Sequence, residues 1–246
     1  MTCFRYWPIF VGLSAICNSP ISMAATPDEV LKGVDAVRSP GDNYTFDLSI
    51  KEQKTDGEKI SSFTVNVKDN EKSLVTYTAP ETSKGKRLLM VGENLWIYVP
   101  NTRMPVRISP QQKVSSGVSN ADVARVVYSL DYQADDLKEE VLDNLKTYRI
   151  ALKAKTKGAA YQHIDLWAAA DDYRPLKADF YTLSEQKLKT IQYKDYQSVL
   201  GKARPMLLEV TDGINASEKA FLQYSHMVIA DTPDSNFQSS YLSRLP

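Results

Sequence analysis

The chain has 246 residues, with 30 Lys and Arg against 30 Asp and Glu, and 43% of it is apolar. Balanced charge leaves no footprint for nucleic acid or for an anionic lipid surface. The length suffices for one domain with a sizeable core.

The first 24 residues read as a leader. Arg5 gives a short positive start, IFVGLSAIC is an apolar core too short to span a bilayer, and Ser22-Met23-Ala24 offers small residues for a signal peptidase. Cleavage is expected near Ala24, leaving residues 25–246 as a single domain in the periplasm. Lipidation at Cys17 is disfavoured because Ile16 precedes it, where that processing wants a small residue. Both cysteines, Cys3 and Cys17, leave with the leader, so the mature chain is expected to hold no disulfide and no thiolate metal site.

Thr26-Pro27-Asp28-Glu29 opens a helix: Thr caps, Pro fits the first position and the acids sit at the positive dipole end. Val30, Leu31, Val34 and Val37 fall on one face, and Ser39-Pro40-Gly41 ends it. YTFDLSI then alternates Tyr44, Phe46, Leu48 and Ile50 against polar residues, and Asp56-Gly57 turns the chain into ISSFTVNV, with Phe63 and Val65 in phase. SLVTYT follows, then the hairpin GKRLLMVGENLWIYVPNTRMPVRIS. After Pro110 the texture is polar and irregular. Ser119-Asn120-Ala121-Asp122 reads as a capping signal for a helix through VARVVYSL, and ADDLKEEVLDNL as a second helix or an acidic loop. Strands resume with TYRIALKAK, YQHIDLWAA, PLKADFYTL, KLKTIQYKDY, RPMLLEVTD and KAFLQYSHMVI. DSNFQSSYLSRL is expected to form a closing short helix carrying Phe237, Tyr241 and Leu245. About eleven strands joined by tight turns give an antiparallel, mainly β fold.

Catalytic raw material is thin. His163 and His226 lie in expected strands without HExxH spacing, and the chain has no GxSxG, P-loop or GxGxxG. Asp135-Asp136 and Glu139-Glu140 read as a solvated face. Asn215-Ala216-Ser217 matches a glycosylation acceptor, but reads as a turn after Asp212-Gly213. No cofactor and no metal site is indicated. Arg103 and Arg107, in TRMPVRIS, read either as edge arginines facing solvent or as charges at the rim of a cavity.

The hairpin strand LWIYV is apolar on both faces: Leu95, Ile97 and Val99 point one way, Trp96 and Tyr98 the other. A curved antiparallel sheet with helices in its concavity would cover both faces. Pattern alone leaves open whether one face lines a cavity or both are close-packed. Trp96 and Tyr98 are expected on the lining face, because amphipathic aromatics tolerate a partly wet wall.

TPDEVLKGVDAVRSP, GKRLLMVGENLWIYVPNTRMPVRISPQQ, SNADVAR and PDSNFQSSYL together resemble the LolA-like outer-membrane lipoprotein-sorting proteins, in particular the branch associated with RND/MMPL-type exporters. The resemblance runs over nearly the whole mature chain and is most specific from Gly85 to Arg107. It implies a half-open antiparallel β-barrel with a helical lid, whose interior holds acyl chains of a lipid or lipoprotein. It implies a carrier and not an enzyme, with an inner-membrane transporter and an outer-membrane acceptor as partners. Phe46, Leu48, Phe63, Val65, Trp96, Tyr98, Ile150, Leu152, Ile164 and Leu166 are expected to line the cavity, with Arg103 and Arg107 at its rim. The alternatives are a sensor or accessory module that reads lipid and signals by protein contact, and a hydrolase of an exported ester or sugar.

Overall fold

The computed structural model describes residues 25–54, 57–115, 117–124 and 127–245. The expected leader lies outside the described residues, as does Asp56 of the first expected turn.

Helix α1 (Pro27–Arg38) begins as the sequence predicts. Thr26 accepts from the Glu29 amide, and the Glu29 carboxylate accepts from the Thr26 amide at 2.8 Å, a reciprocal cap that satisfies two otherwise orphaned donors. Its buried stripe is Val30, Leu31 and Val34. The chain then runs through β1 (Tyr44–Lys54), β2 (Gly57–Lys68), β3 (Lys72–Ala79), β4 (Arg87–Val91), β5 (Asn94–Tyr98) and β6 (Val106–Ile108), each antiparallel to the last. In β1, Tyr44, Phe46, Leu48 and Ile50 are buried while the intervening residues are partly exposed, the period-2 pattern of a strand with a single core face. Gly92, with φ of +56°, makes the tight turn from β4 to β5.

A small ribbon of β7 (Lys113–Ser115) and β8 (Val118–Ser119) leads into α2 (Asn120–Ala124) and α3 (Tyr128–Asp131). The single helix expected through VARVVYSL is therefore two one-turn helices, with Arg125 and Val126 between them outside the described residues. ADDLKEEVLDNL is not helical. It forms β9 (Tyr132–Leu142), turning through Asp143 and Asn144, both at positive φ, into β10 (Leu145–Ala154). Strands β11 (His163–Ala169), β12 (Pro175–Tyr181), β13 (Lys187–Val199), β14 (Lys202–Asp212) and β15 (Lys219–Ile229) complete a meander. The closing helix is two 3-10 turns, Asp234–Phe237 and Ser239–Tyr241.

Among the described residues thirteen strands form one sheet in the order β6-β5-β4-β3-β2-β1-β15-β14-β13-β12-β11-β10-β9, antiparallel throughout. First and last halves of the meander meet where β1 pairs with β15, and β6 and β9 remain as edges. This is a half-open barrel, with few helices. Helix α1 packs against β9, β14 and α3, and α2 against β3, β4 and β8. Among the described residues no helix is long and apolar enough to cross a membrane.

Candidate functional site

The inner face of the sheet and the three helices share one apolar cluster. Phe46, Leu48, Phe63, Val65, Ile150, Leu152, Ile164 and Leu166 all belong to it, together with Val30, Leu31 and Val34 of α1, Val123 and Ala124 of α2 and Tyr128 of α3. Leu48, Val65, Ile150 and Leu166 are essentially inaccessible. In this conformation the helices fill the concavity rather than merely roofing it.

Trp96 and Tyr98 are placed differently from expectation. On β5 it is Leu95 and Ile97 that join the inner cluster. Trp96 and Tyr98 point to the outer face, where with Leu74 and Leu89 they meet Phe237, Leu242 and Leu245 of the C-terminal segment. Arg87, on the same outer face, donates to the Leu242 carbonyl at 3.0 Å and lies over the Tyr98 ring. Both faces of the strand are thus covered, one by the helix-filled interior and one by the chain's own C-terminus. Amphipathic aromatics here mark a strap-covered outer face and not the inner wall.

Arg103 and Arg107 are both exposed, with Met104 and Val106 between them also exposed, in and just before the edge strand β6. His163 meets Glu185 at 2.9 Å and His226 meets Asp47 at 3.0 Å, so each is tied to a carboxylate in its strand surroundings. Among the described residues no cluster of His, Cys, Asp and Glu could hold a metal ion.

The polar groups inside the concavity were not legible as a site. Lys189 of β13, 1% exposed, donates to the Asp122 carboxylate of α2 and, at 2.6 Å, to the Tyr161 hydroxyl. Its ammonium also lies over the Tyr161 and Phe180 rings, at 4.4 and 4.6 Å. Asp122 accepts in addition from the Ser119 amide at 2.7 Å, the Ser119 hydroxyl and the Tyr161 hydroxyl. Burial pulls the Lys189 ammonium below the ordinary lysine range against the opposing pull of Asp122. Burial likewise pushes the Tyr161 phenol well up, so it acts as a neutral donor. The available signal was phase: Lys189 shares strand parity with Ile191 and Tyr193, both buried.

A second tether holds α3. The Asp35 carboxylate of α1 accepts from the Tyr128 and Ser129 amides at 3.0 and 2.7 Å, capping a helix whose own cap residue, Val127, has no side-chain acceptor. Tyr128 and Tyr193 share a hydroxyl contact at 2.6 Å, and Arg38 lies over both rings, 4.8 and 5.9 Å from their centroids. Beside this group a cavity of about 60 Å³ opens, with walls that include Arg38, Ser39, Tyr44, Phe46, Asp122 and Tyr224. Of the residues expected on the cavity wall, Phe46 alone borders this cavity; Leu48, Phe63, Val65, Ile150, Leu152, Ile164 and Leu166 are packed in the apolar cluster.

A family model described as "Uncharacterized protein" matches residues 69–244. A crystal structure of a LolA superfamily protein from Nitrosomonas europaea is 32% identical, covers 89% of this chain and 100% of its own, and superposes with a TM-score of 0.84. A putative outer membrane lipoprotein-sorting protein domain from Vibrio parahaemolyticus is 18% identical with a TM-score of 0.75, over 88% of this chain and 98% of its own. A DUF1329 family protein from Desulfovibrio piger is 18% identical with a TM-score of 0.76, over 88% and 97%. No curated protein matches the chain.

Proposed function

The chain belongs to the LolA superfamily, and on that premise we propose that it is an exported, periplasmic carrier that takes acyl chains of a lipid or lipoprotein into the concavity of its sheet. The observation that carries this reading is how the concavity is filled. Its apolar wall is covered by α1 and by two helices of five and four residues rather than by a second sheet. Helices of one turn have no stability of their own. They are held by packing and by the two tethers, Lys189 to Asp122 and Asp35 to the α3 amides.

An acyl chain can replace them on the wall. Each buried methylene brings about 0.8 kcal/mol, so a sixteen-carbon chain brings roughly 12 kcal/mol before ordering costs. That scale exceeds the roughly 3–5 kcal/mol lost when one partner of a buried pair is removed. Displacement of α2 and α3 must also offset the second tether and the packing of Val123, Ala124 and Tyr128, and on this reading the incoming chain takes their place on the wall and their return expels it. Transfer between inner and outer membrane, with an RND/MMPL-type exporter as donor and an outer-membrane protein as acceptor, extends the same proposal. The reaction is binding and release, with no covalent step.

Native mass spectrometry of protein purified without detergent tests the carrier reading. Adducts of lipid mass, lost on addition of excess fluorescent acyl probe, are expected. A chain that is empty and takes up no probe would contradict it. Crosslinking in cells, expected to recover an inner-membrane transporter, tests the partnership separately.

A further inference from the structure

The even overall charge of the chain conceals an uneven distribution along its strands. Arg87 pairs with Tyr98, so the loops before β4 and after β5, residues 80–86 and 99–105, leave the sheet at the same end. The two loops touch there: a Cβ added to Gly85 would lie 3.2 Å from the Pro100 ring. Together with the start of β6 they hold Lys84, Lys86, Arg103 and Arg107 against one acid, Glu81. Lys84 meets Glu81 at 3.3 Å and Lys86 donates to the Ser83 hydroxyl at 3.2 Å. No ion pair engages Lys86, Arg103 or Arg107 among the described residues.

The other end of the same strands is acidic. The β2–β3 and β4–β5 turns meet where the Gly92 amide donates to the Glu71 carbonyl at 3.3 Å, and they carry Asp69, Glu71 and Glu93. The lysines beside them are compensated: Lys72 is met by Asp69 at 3.1 Å, and Lys68 by Asp231 and Asp234, both at 3.1 Å. Base and acid thus sit at opposite ends of β3, β4 and β5.

The basic end is also apolar. Met104 is 73% and Val106 62% exposed, directly beside Arg103 and Arg107. Charge on an edge strand guards it against pairing with another chain, but a guard needs no bare Met104 and Val106 next to it. Protein partners anchor on side chains that fill desolvated pockets. Side chains this exposed suit a fluid surface, which moulds around them. We infer that this rim docks the protein on an anionic lipid surface, with Lys86, Arg103 and Arg107 meeting phosphate oxygens and Met104 entering the boundary between head groups and acyl chains. The acidic end is repelled by the same field, which orients the molecule on the surface. Docking goes beyond the carrier reading and does not depend on what the interior holds.

The test is co-sedimentation of the protein with vesicles of phosphatidylcholine alone and of equal parts phosphatidylcholine and phosphatidylglycerol, with no acyl probe present. The wild type should bind the mixed vesicles roughly tenfold better, a preference that falls as salt is raised. A basic residue at such a surface is worth roughly fivefold in affinity, so the double change Arg103→Gln with Arg107→Gln should remove most of the preference. Met104→Ser should weaken binding to the mixed vesicles as well, whereas Glu71→Gln at the acidic end should not. Equal binding of the wild type to both vesicles would overturn the inference and leave the carrier reading standing. Arginine variants that sediment like the wild type would overturn it too, and so would an unchanged Met104→Ser, which would reduce the contact to charge without insertion. A photo-crosslinker at position 104 that captures a membrane protein in cells, while the purified protein ignores both vesicles, would give the rim to a protein partner and overturn lipid docking.

Discussion

The Lys189 ammonium of β13, 1% exposed, is bonded to the Asp122 carboxylate in the first turn of α2, and this pair joins the wall of the sheet to a helix that packs against β3 and β4 on the other side. Asp122 serves both ends of the connection. It draws in the Ser119 amide at the start of its own helix while neutralising a charge that could not otherwise be buried.

Removing one partner strands the other. Lys189→Met should cost about 3–5 kcal/mol in a denaturant melt, and the double change Lys189→Met with Asp122→Leu should recover most of it. If the pair also restrains α2, the single variant exchanges bound acyl probe faster than the wild type under conditions where both are folded. Equal exchange rates would confine the pair to a structural role.

Asp179 offers a pH signature. Burial alone would raise its carboxyl, but hydrogen bonds from Thr190, Lys187 and Lys177 outweigh that and hold it below the usual aspartate range. A depressed folded pKa stabilises above the unfolded value of about 3.9 and loses its contribution as pH falls through the folded value. The stability gap between wild type and Asp179→Asn should be constant near neutrality and shrink below about pH 4. A gap independent of pH down to acid unfolding would count against the assignment.

The outer face of β5 can be separated from the inner one. Phe237, 6% exposed, fills a pocket with Leu74, Leu89 and Trp96, so Phe237→Ala should cost roughly 3 kcal/mol without changing acyl uptake. Limited proteolysis should clip residues 234–245 faster in Trp96→Ala than in Ile97→Ala, because only Trp96 touches that segment. Faster clipping in both variants would show that the faces are coupled.

Arg103 and Arg107 are exposed, and no ion pair engages either among the described residues. The double change to Gln should leave the melting midpoint unchanged within error. A head-group or partner role at the rim would appear instead as altered loading or release of acyl probe, and unchanged loading and release would retire it.

Much of the scaffold was legible because its signals are local. The α1 cap uses residues three apart, and the β1 and β2 faces follow from alternation alone. The acidic strand β9 was not. As an edge strand with a largely exposed burial pattern it lacks the apolar alternation that identifies its neighbours, and its charges pair across to β10, as Asp135 does with Lys153 at 2.6 Å. The site was legible only as a set of inner-face apolar residues. Its polar members come from α1, α2, β13 and β15, and Asp122 and Lys189 are 67 residues apart in the chain.

The sequence by itself determined that the strand carrying Trp96 and Ile97 has two apolar faces, that the strands form an antiparallel meander and that helices must cover some of them. Those properties depend on side-chain period and turn chemistry, which act over a few residues. Only the tertiary structure decided which face looks inward, since a period of two distinguishes the faces without ranking them. It also decided that α2 and α3 fill the concavity, and that Arg38, Tyr44 and Tyr224 meet at one cavity. Those outcomes depend on curvature accumulated over a sheet of thirteen strands, and no local stretch of the chain encodes it.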